Sequence, residues 1–197
     1  MGKVEENKIQ KKSILLNTAF SLFSSEGIAH TSIANITKKA GIAKGTFYLY
    51  FRDKYDLQEQ LIALKAGHLF QHAMKNSGFE ECEDPIDQVI TIIDDILEQM
   101  QKNKALLRFI NKNLSWGLFR SAMNRSEVDY MKMFCEIIPD LQNTTKVELL
   151  VYTITELVGA SCYSVILDSD PVDFATYKPF LNQSIRAIIE ESLKVPK

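Results

Sequence analysis

Residues 31–54 read TSIANITKKAGIAKGTFYLYFRDK, and this stretch decides the fold. Thr31 and Ser32 carry hydroxyls that can cap a helix, and Ile33 and Ile36 recur behind them at helical spacing. A short helix is therefore predicted over Ser32–Ala40. Gly41 ends it, because glycine enters the left-handed backbone region without a steric cost. Ile42 and Ala43 lead into a third short helix over Lys44–Tyr50. Asp53 can cap a long fourth helix that carries Tyr55, Leu57, Leu61, Ile62 and Leu64. A longer helix upstream completes the group: Ile14, Leu15, Ala19, Leu22 and Phe23 recur at helical spacing over Lys8–Ser25, with Gly27 as its stop. Two short helices joined by a tight glycine turn and braced by a longer one make a helix-turn-helix.

Outward from this head, the chain stays helical. Its 197 residues include only 8 Gly and 5 Pro, too few breakers for a turn-rich β fold. Asn76–Asp84 is polar and acidic and reads as a loop. Pro85 suits the first turn of a fifth helix with Ile86, Val89, Ile90, Ile93, Ile96, Leu97 and Met100 on one face. Helices are also predicted over Ala105–Asn124 and over Ser126–Ile138, the latter stopped by Pro139. Two long helices follow, about Thr145–Leu167 and Pro171 or Val172–Leu193, with Asp168-Ser169-Asp170-Pro171 supplying turn chemistry between them. The expected fold class is all-α, with about nine helices and no strand. The expected domains are 1–55, the DNA-binding head, and 56–197, a helical effector-binding and dimerisation body.

The charge is uneven. Residues 1–60 hold nine Lys/Arg and six Asp/Glu, a net of +3, and the remainder holds 14 and 19, a net of −5. A basic head on an acidic body suits a head that meets phosphates. Lys3, Lys8, Lys11 and Lys12 form a basic amino-terminal arm that either adds phosphate contacts or is a solvated terminus. Three widely spaced cysteines without a Cys-x-x-Cys pair fit a reducing, cytoplasmic setting. The charged start has no apolar signal core, and the longest apolar runs are four or five residues, so no membrane partner is expected.

A helix-turn-helix works by geometry. Its second helix lies in the major groove, its first residues reach base edges, and flanking groups hold phosphates. Lys44 opens the second helix and can reach a guanine or a phosphate. Gly45 allows close approach to DNA. Thr46 can bond a phosphate, and Lys54 can pair with one beside the amino end of the fourth helix. Thr31 and Ser32 offer the same at the second helix. Phe47 and Phe51 read as core rather than contact.

Ile14-Leu15, Thr18-Ala19, Leu22-Phe23, Gly27, Thr31-Ser32, Ile36, the run Ala40–Phe51, Lys54 and Leu57 together resemble the DNA-binding domain of the tetracycline-repressor (TetR/AcrR) family. The resemblance implies that Tyr48 and Tyr50 direct their hydroxyls to the DNA backbone. It departs at Thr37, where a small residue is usual, at Ala43, where a serine commonly caps the recognition helix, and at Tyr50, where histidine is frequent. Losing the cap at Ala43 costs about 0.5–2 kcal/mol locally.

One short recognition helix covers too few base pairs, so a homodimer on palindromic double-stranded DNA is expected. The last two helices supply an apolar stripe for it: Leu150, Ile154, Leu157, Val158 and Ser161 on the first, Phe180, Ile185 and Ile188 on the second. The resemblance implies that they meet their symmetry mates in a four-helix bundle, while part of the stripe serves the monomer core. The middle of the chain is rich in aromatic and sulfur side chains: Phe70, Met74, Phe109, Trp116, Phe119, Met123, Tyr130 and Phe134. These are candidates for the lining of a pocket for a flat, greasy or cationic small-molecule effector, with plain core as the alternative.

His68 and His72 stand at ligand spacing on the fourth helix, but no third ligand has a fixed spacing, and neither a metal nor a cofactor is expected. No nucleophile triad, phosphate loop or carboxylate pair suggests an enzyme. The expected function is a repressor released from its operator by a small molecule. The alternative is a DNA-binding protein that is constitutive or controlled by a partner protein.

Overall fold

The computed structural model describes residues 2–113, 116–117, 120, 130–139 and 144–194. The helices are α1 (Lys3–Glu26), α2 (Ile33–Ala40), α3 (Lys44–Phe47), α4 (Lys54–Asn76), α5 (Pro85–Lys102), α6 (Lys104–Asn113), α7 (Tyr130–Ile137), α8 (Thr144–Asp168) and α9 (Phe174–Lys194). A 3₁₀ turn at Phe79–Glu81 interrupts the acidic segment read as loop, and it forms around the buried Phe79. The described residues contain no strand. Two compact units result, Met1–Leu64 and Lys65–Lys197, the division falling inside α4.

In the first unit α1 starts earlier than the predicted Lys8. Glu5 and Glu6 in its first turn complement the helix dipole, so the charged start continues the helix. Gly27 closes it at φ 80°, its N–H donating to Phe23 O. The buried face is Leu15, Leu16, Ala19, Leu22 and Phe23, while Ile14 is turned partly outward. Ser32 caps α2, its Oγ accepting from Asn35 N at 3.1 Å. Gly41 sits at φ 64°, ψ 30°, and its N–H donates to the Lys38 and Thr37 carbonyls, the left-handed stop read from the sequence. Beyond Phe47 the predicted third helix tightens: Leu49 and Tyr50 bond back three residues to Thr46 and Phe47. This leaves a four-residue α3 followed by a turn. Asp53 caps α4 through Oδ1, which accepts from Tyr55 N and Asp56 N.

In the second unit α5 packs with α8 and α9 around Ile86, Val89, Leu97, Val147, Leu181, Ile185 and Ile189. Length and composition alone would let α8 cross a membrane. Here its Val147, Leu150, Val151, Ile154, Cys162, Val165 and Ile166 are buried in the core. Polar pairs fix the register of α5 against α9. Arg186 bonds Asp84 at 2.8 Å and also pairs with Asp87, and Lys178 and Asn182 both reach Asp94.

Asp84 has two tasks, because its other oxygen accepts from Ile86 N and caps α5. The Arg186 hydrogen bond, aided by the Ile86 N–H, holds its carboxyl below the usual aspartate range. A lowered carboxyl pKa stabilises the fold above the unfolded value, near 4, and that contribution fades as pH falls through the folded value. Asp84→Ala is expected to lose about 1 kcal/mol at neutral pH, the scale of a helix cap with a partly exposed ion pair. In urea melts at descending pH the variant and parent should converge below about pH 4. A gap that is constant with pH would refute the role given to the charge.

Candidate nucleic-acid interface and effector cavity

The head sorts its residues cleanly into support and surface. Phe47 and Phe51 are fully buried with ring centroids 5.4 Å apart, as read from the sequence. They hold α3 so that Lys44, Gly45, Tyr48 and Leu49 are exposed, with Thr46 and Tyr50 half-buried beside them. Tyr48 is 50% exposed and packs edge-on against Phe47 at 5.5 Å, which fixes the base of its ring. Ala43 occupies the cap position of α3 and makes no side-chain cap bond. Thr37 is buried, and its hydroxyl donates to the Ile33 and Ala34 carbonyls, so the larger side chain is accommodated without an orphan polar group.

Two of the expected phosphate ligands are placed differently. Thr31 is buried, and its hydroxyl donates to Gly27 O at 2.8 Å. The Lys54 ammonium donates to the carbonyls of Ile28, Thr31 and Ala29 at 2.9, 3.1 and 3.4 Å. Both side chains therefore brace the turn between α1 and α2 from inside. The physical reason is that the turn directs three carbonyls toward one point, the Ile28 carbonyl also accepting from Thr31 N, and one ammonium has three donors to offer them. Ser32 remains exposed at the amino end of α2, although its Oγ already accepts the Asn35 N–H. Sequence reading passed over Lys38, Lys39 and Arg52, which are exposed cations of the same unit. Their signal was the basic run itself, which was counted only as net charge.

In the second unit a cavity of about 350 Å³ opens among α4, α5, α6 and α8. Of the expected effector residues, Phe70 and Trp116 line it. Phe109 is buried but outside the lining, and Met74 and Phe134 pack on the hydrophobic core. Phe119 and Met123 lie outside the described residues, as does the side chain of Tyr130. Ile154 and Val158, expected at a dimer contact, line the cavity instead. Leu150, Ile154 and Ile185 are buried within the single chain, so they fill its own core. Leu157, Val158, Ser161 and Ile188 are half-buried, and Phe180 is 64% exposed. Leu149 and Tyr152 are exposed on α8 as well.

Cys162 lines the cavity, and burial pushes its thiol up to about 11, so it stays protonated and unreactive at neutral pH. His72 Nδ1 lies 3.1 Å from the Asp95 carboxylate of α5. Partial burial and the Lys65 ammonium depress the pKa of His68.

Residues 15–61 match the family described as bacterial regulatory proteins, tetR family. The HTH-type transcriptional regulator AcrR of Shigella flexneri is 28% identical over 100 residues, 49% of this chain and 44% of that protein. The uncharacterized HTH-type regulator YvdT of Bacillus subtilis is 39% identical over 74 residues, 38% of this chain and 34% of that protein. The matched stretch thus spans less than half of either relative. The crystal structure of the transcriptional regulator FadR from Bacillus subtilis in complex with stearoyl-CoA superposes with a TM-score of 0.63. It covers 88% of this chain and 96% of that one at 16% identity, a likeness of fold.

Proposed function

Because the chain belongs to the tetR family of bacterial regulatory proteins, we propose that it is a cytoplasmic transcription repressor that binds a palindromic operator as a homodimer and is released by a small apolar effector. The relatives are named as regulators, and the chain is a regulator and not an enzyme. The observation that carries the DNA reading is the exposure of Lys44, Gly45 and Tyr48, with Thr46 half-buried among them, on a short helix and its following turn anchored by two buried phenylalanines. Lys44 and Gly45 meet the groove, Thr46, Tyr48 and Tyr50 hold phosphates, and Ser32 presents the amino end of α2 to the backbone. Thr31 and Lys54 act by holding the turn that aims α2. The dimer face is assigned to what α8 and α9 leave uncovered, including Leu149, Tyr152 and Phe180.

The cavity supports the effector reading over that of a DNA binder without a ligand, whose interior would be filled. Helix α4 carries Lys54 at its start and the cavity residues Ala66, Leu69 and Phe70 further along. A ligand that repositions the cavity wall therefore acts on the helix that also braces the head.

Gly45 supplies a clean test. A Cβ built there meets no atom within 4 Å, and its backbone is not in the left-handed region. Gly45→Ala should therefore keep or raise stability by about 0.5–1 kcal/mol. On DNA the added methyl should obstruct close approach, weakening duplex binding in fluorescence anisotropy, while the parent shows a steep loss of affinity with salt. Unchanged affinity in the variant, or salt-independent binding in the parent, would count against this interface.

A further inference from the structure

We infer that Leu49 is a base-reading residue that selects thymine by packing on its ring methyl group in the major groove. This rests on the DNA reading of the first unit and adds a specific base to it. At 79% exposure Leu49 is the most exposed large apolar side chain among the described residues. The backbone fixes its place. Its N–H donates to Thr46 O, and Tyr50 N and Phe51 N both donate to Phe47 O, so the coil runs on past α3 as a tight turn. Exposure then repeats every four residues: Lys44 and Gly45, and again Tyr48 and Leu49, face outward, while Phe47 and Phe51 are buried. Leu49 therefore shares the outward face with Lys44 and Gly45, the residues assigned to the groove.

An exposed leucine contributes nothing to phosphate binding. It has no donor or acceptor, so it reads no hydrogen-bond pattern on a base edge. The one apolar group that a base pair projects into the major groove is the methyl of thymine. Cytosine, the other pyrimidine, lacks that methyl and presents a polar amino group. Gly45 clears the way for the contact. A Cβ built there meets no atom within 4 Å, and the glycine itself presents no side chain to hold the leucine off the base. The exposed cations of the same unit, Lys38, Lys39, Lys44 and Arg52, decide the kind of partner. An apolar protein surface would leave these charges desolvated and unpaired, whereas duplex DNA pairs them with phosphates and gives Leu49 a methyl.

The test uses the full chain and a duplex selected from a random pool, with each thymine of the half-sites replaced in turn by deoxyuridine, which removes only the methyl. At one thymine position the parent should lose about fourfold in affinity per half-site, the scale of one buried methyl group. Leu49→Ala should bind the thymine duplex about fourfold more weakly per half-site and be indifferent to the replacement. Leu49→Met, which keeps an apolar reach, should retain the discrimination. The side chain is exposed, so neither variant touches the core and both thermal melts should coincide with that of the parent. A parent indifferent to deoxyuridine at every position, or a selected half-site without thymine, overturns the role of Leu49 and leaves the DNA interface standing. A Leu49→Ala variant that loses as much as the parent on the deoxyuridine duplex also overturns it, because another group then reads the methyl. A parent that selects no duplex removes the interface itself, and Leu49 with it.

Discussion

Lys44→Ala combined with Tyr48→Ala is expected to abolish operator binding and leave the fold in place. Lys44 is exposed at the start of α3, and Tyr48 is half-exposed one turn on. Neither side chain fills the core, which is closed beneath them by Phe47 and Phe51. A lysine on a guanine edge or a phosphate, together with a tyrosine–phosphate bond, is worth about 2–4 kcal/mol, or about 30- to 1,000-fold in affinity. Losing the edge-on contact of Tyr48 with Phe47 costs the fold about 0.5–1.5 kcal/mol, which a thermal melt would record as a modest shift. The check is anisotropy on a selected operator duplex, with sedimentation to follow the oligomer. Duplex binding within about threefold of the parent would remove α3 from the interface, since that is under 1 kcal/mol.

The second large effect is Phe47→Ala. Phe47 is fully buried, its ring lies 5.4 Å from Phe51, and its carbonyl accepts from Tyr50 N and Phe51 N. Deleting the ring leaves a cavity that a four-residue helix cannot collapse around. The cost is about 3–5 kcal/mol, a large part of what a small unit has to spare. Hydrogen exchange should show amides of the first unit losing protection, while α5, α8 and α9 keep theirs. A stability loss below about 1 kcal/mol would mean that the ring is not the keystone described here.

The head was legible because its signals are local. Gly41 takes its left-handed conformation from its own lack of a side chain, Ser32 and Asp53 cap the helices directly behind them, and Ile36, Phe47 and Phe51 follow helical spacing. What escaped were tertiary choices. Lys54 looks like a phosphate ligand when read beside its neighbours. It is a brace because the turn after α1, more than twenty residues earlier in the chain, presents three carbonyls to it. The same holds in the second unit. Apolar periodicity on α8 marks a face without saying whether core, cavity or partner covers it, and Leu150, Ile154 and Val158 went to the first two. Phe70 and Trp116 reach the cavity whereas Met74 does not, a difference set by how the helices rotate against one another rather than by composition.

The central claim is that two copies of the α3 ridge read one DNA duplex. Selection of bound sequences from a random duplex pool tests it most directly. The expected product is an inverted repeat whose half-site centres lie about one or more full helical turns apart, the spacing that two symmetry-related recognition helices require. Enrichment of no sequence, or of a single unrepeated site bound by one chain, would contradict it.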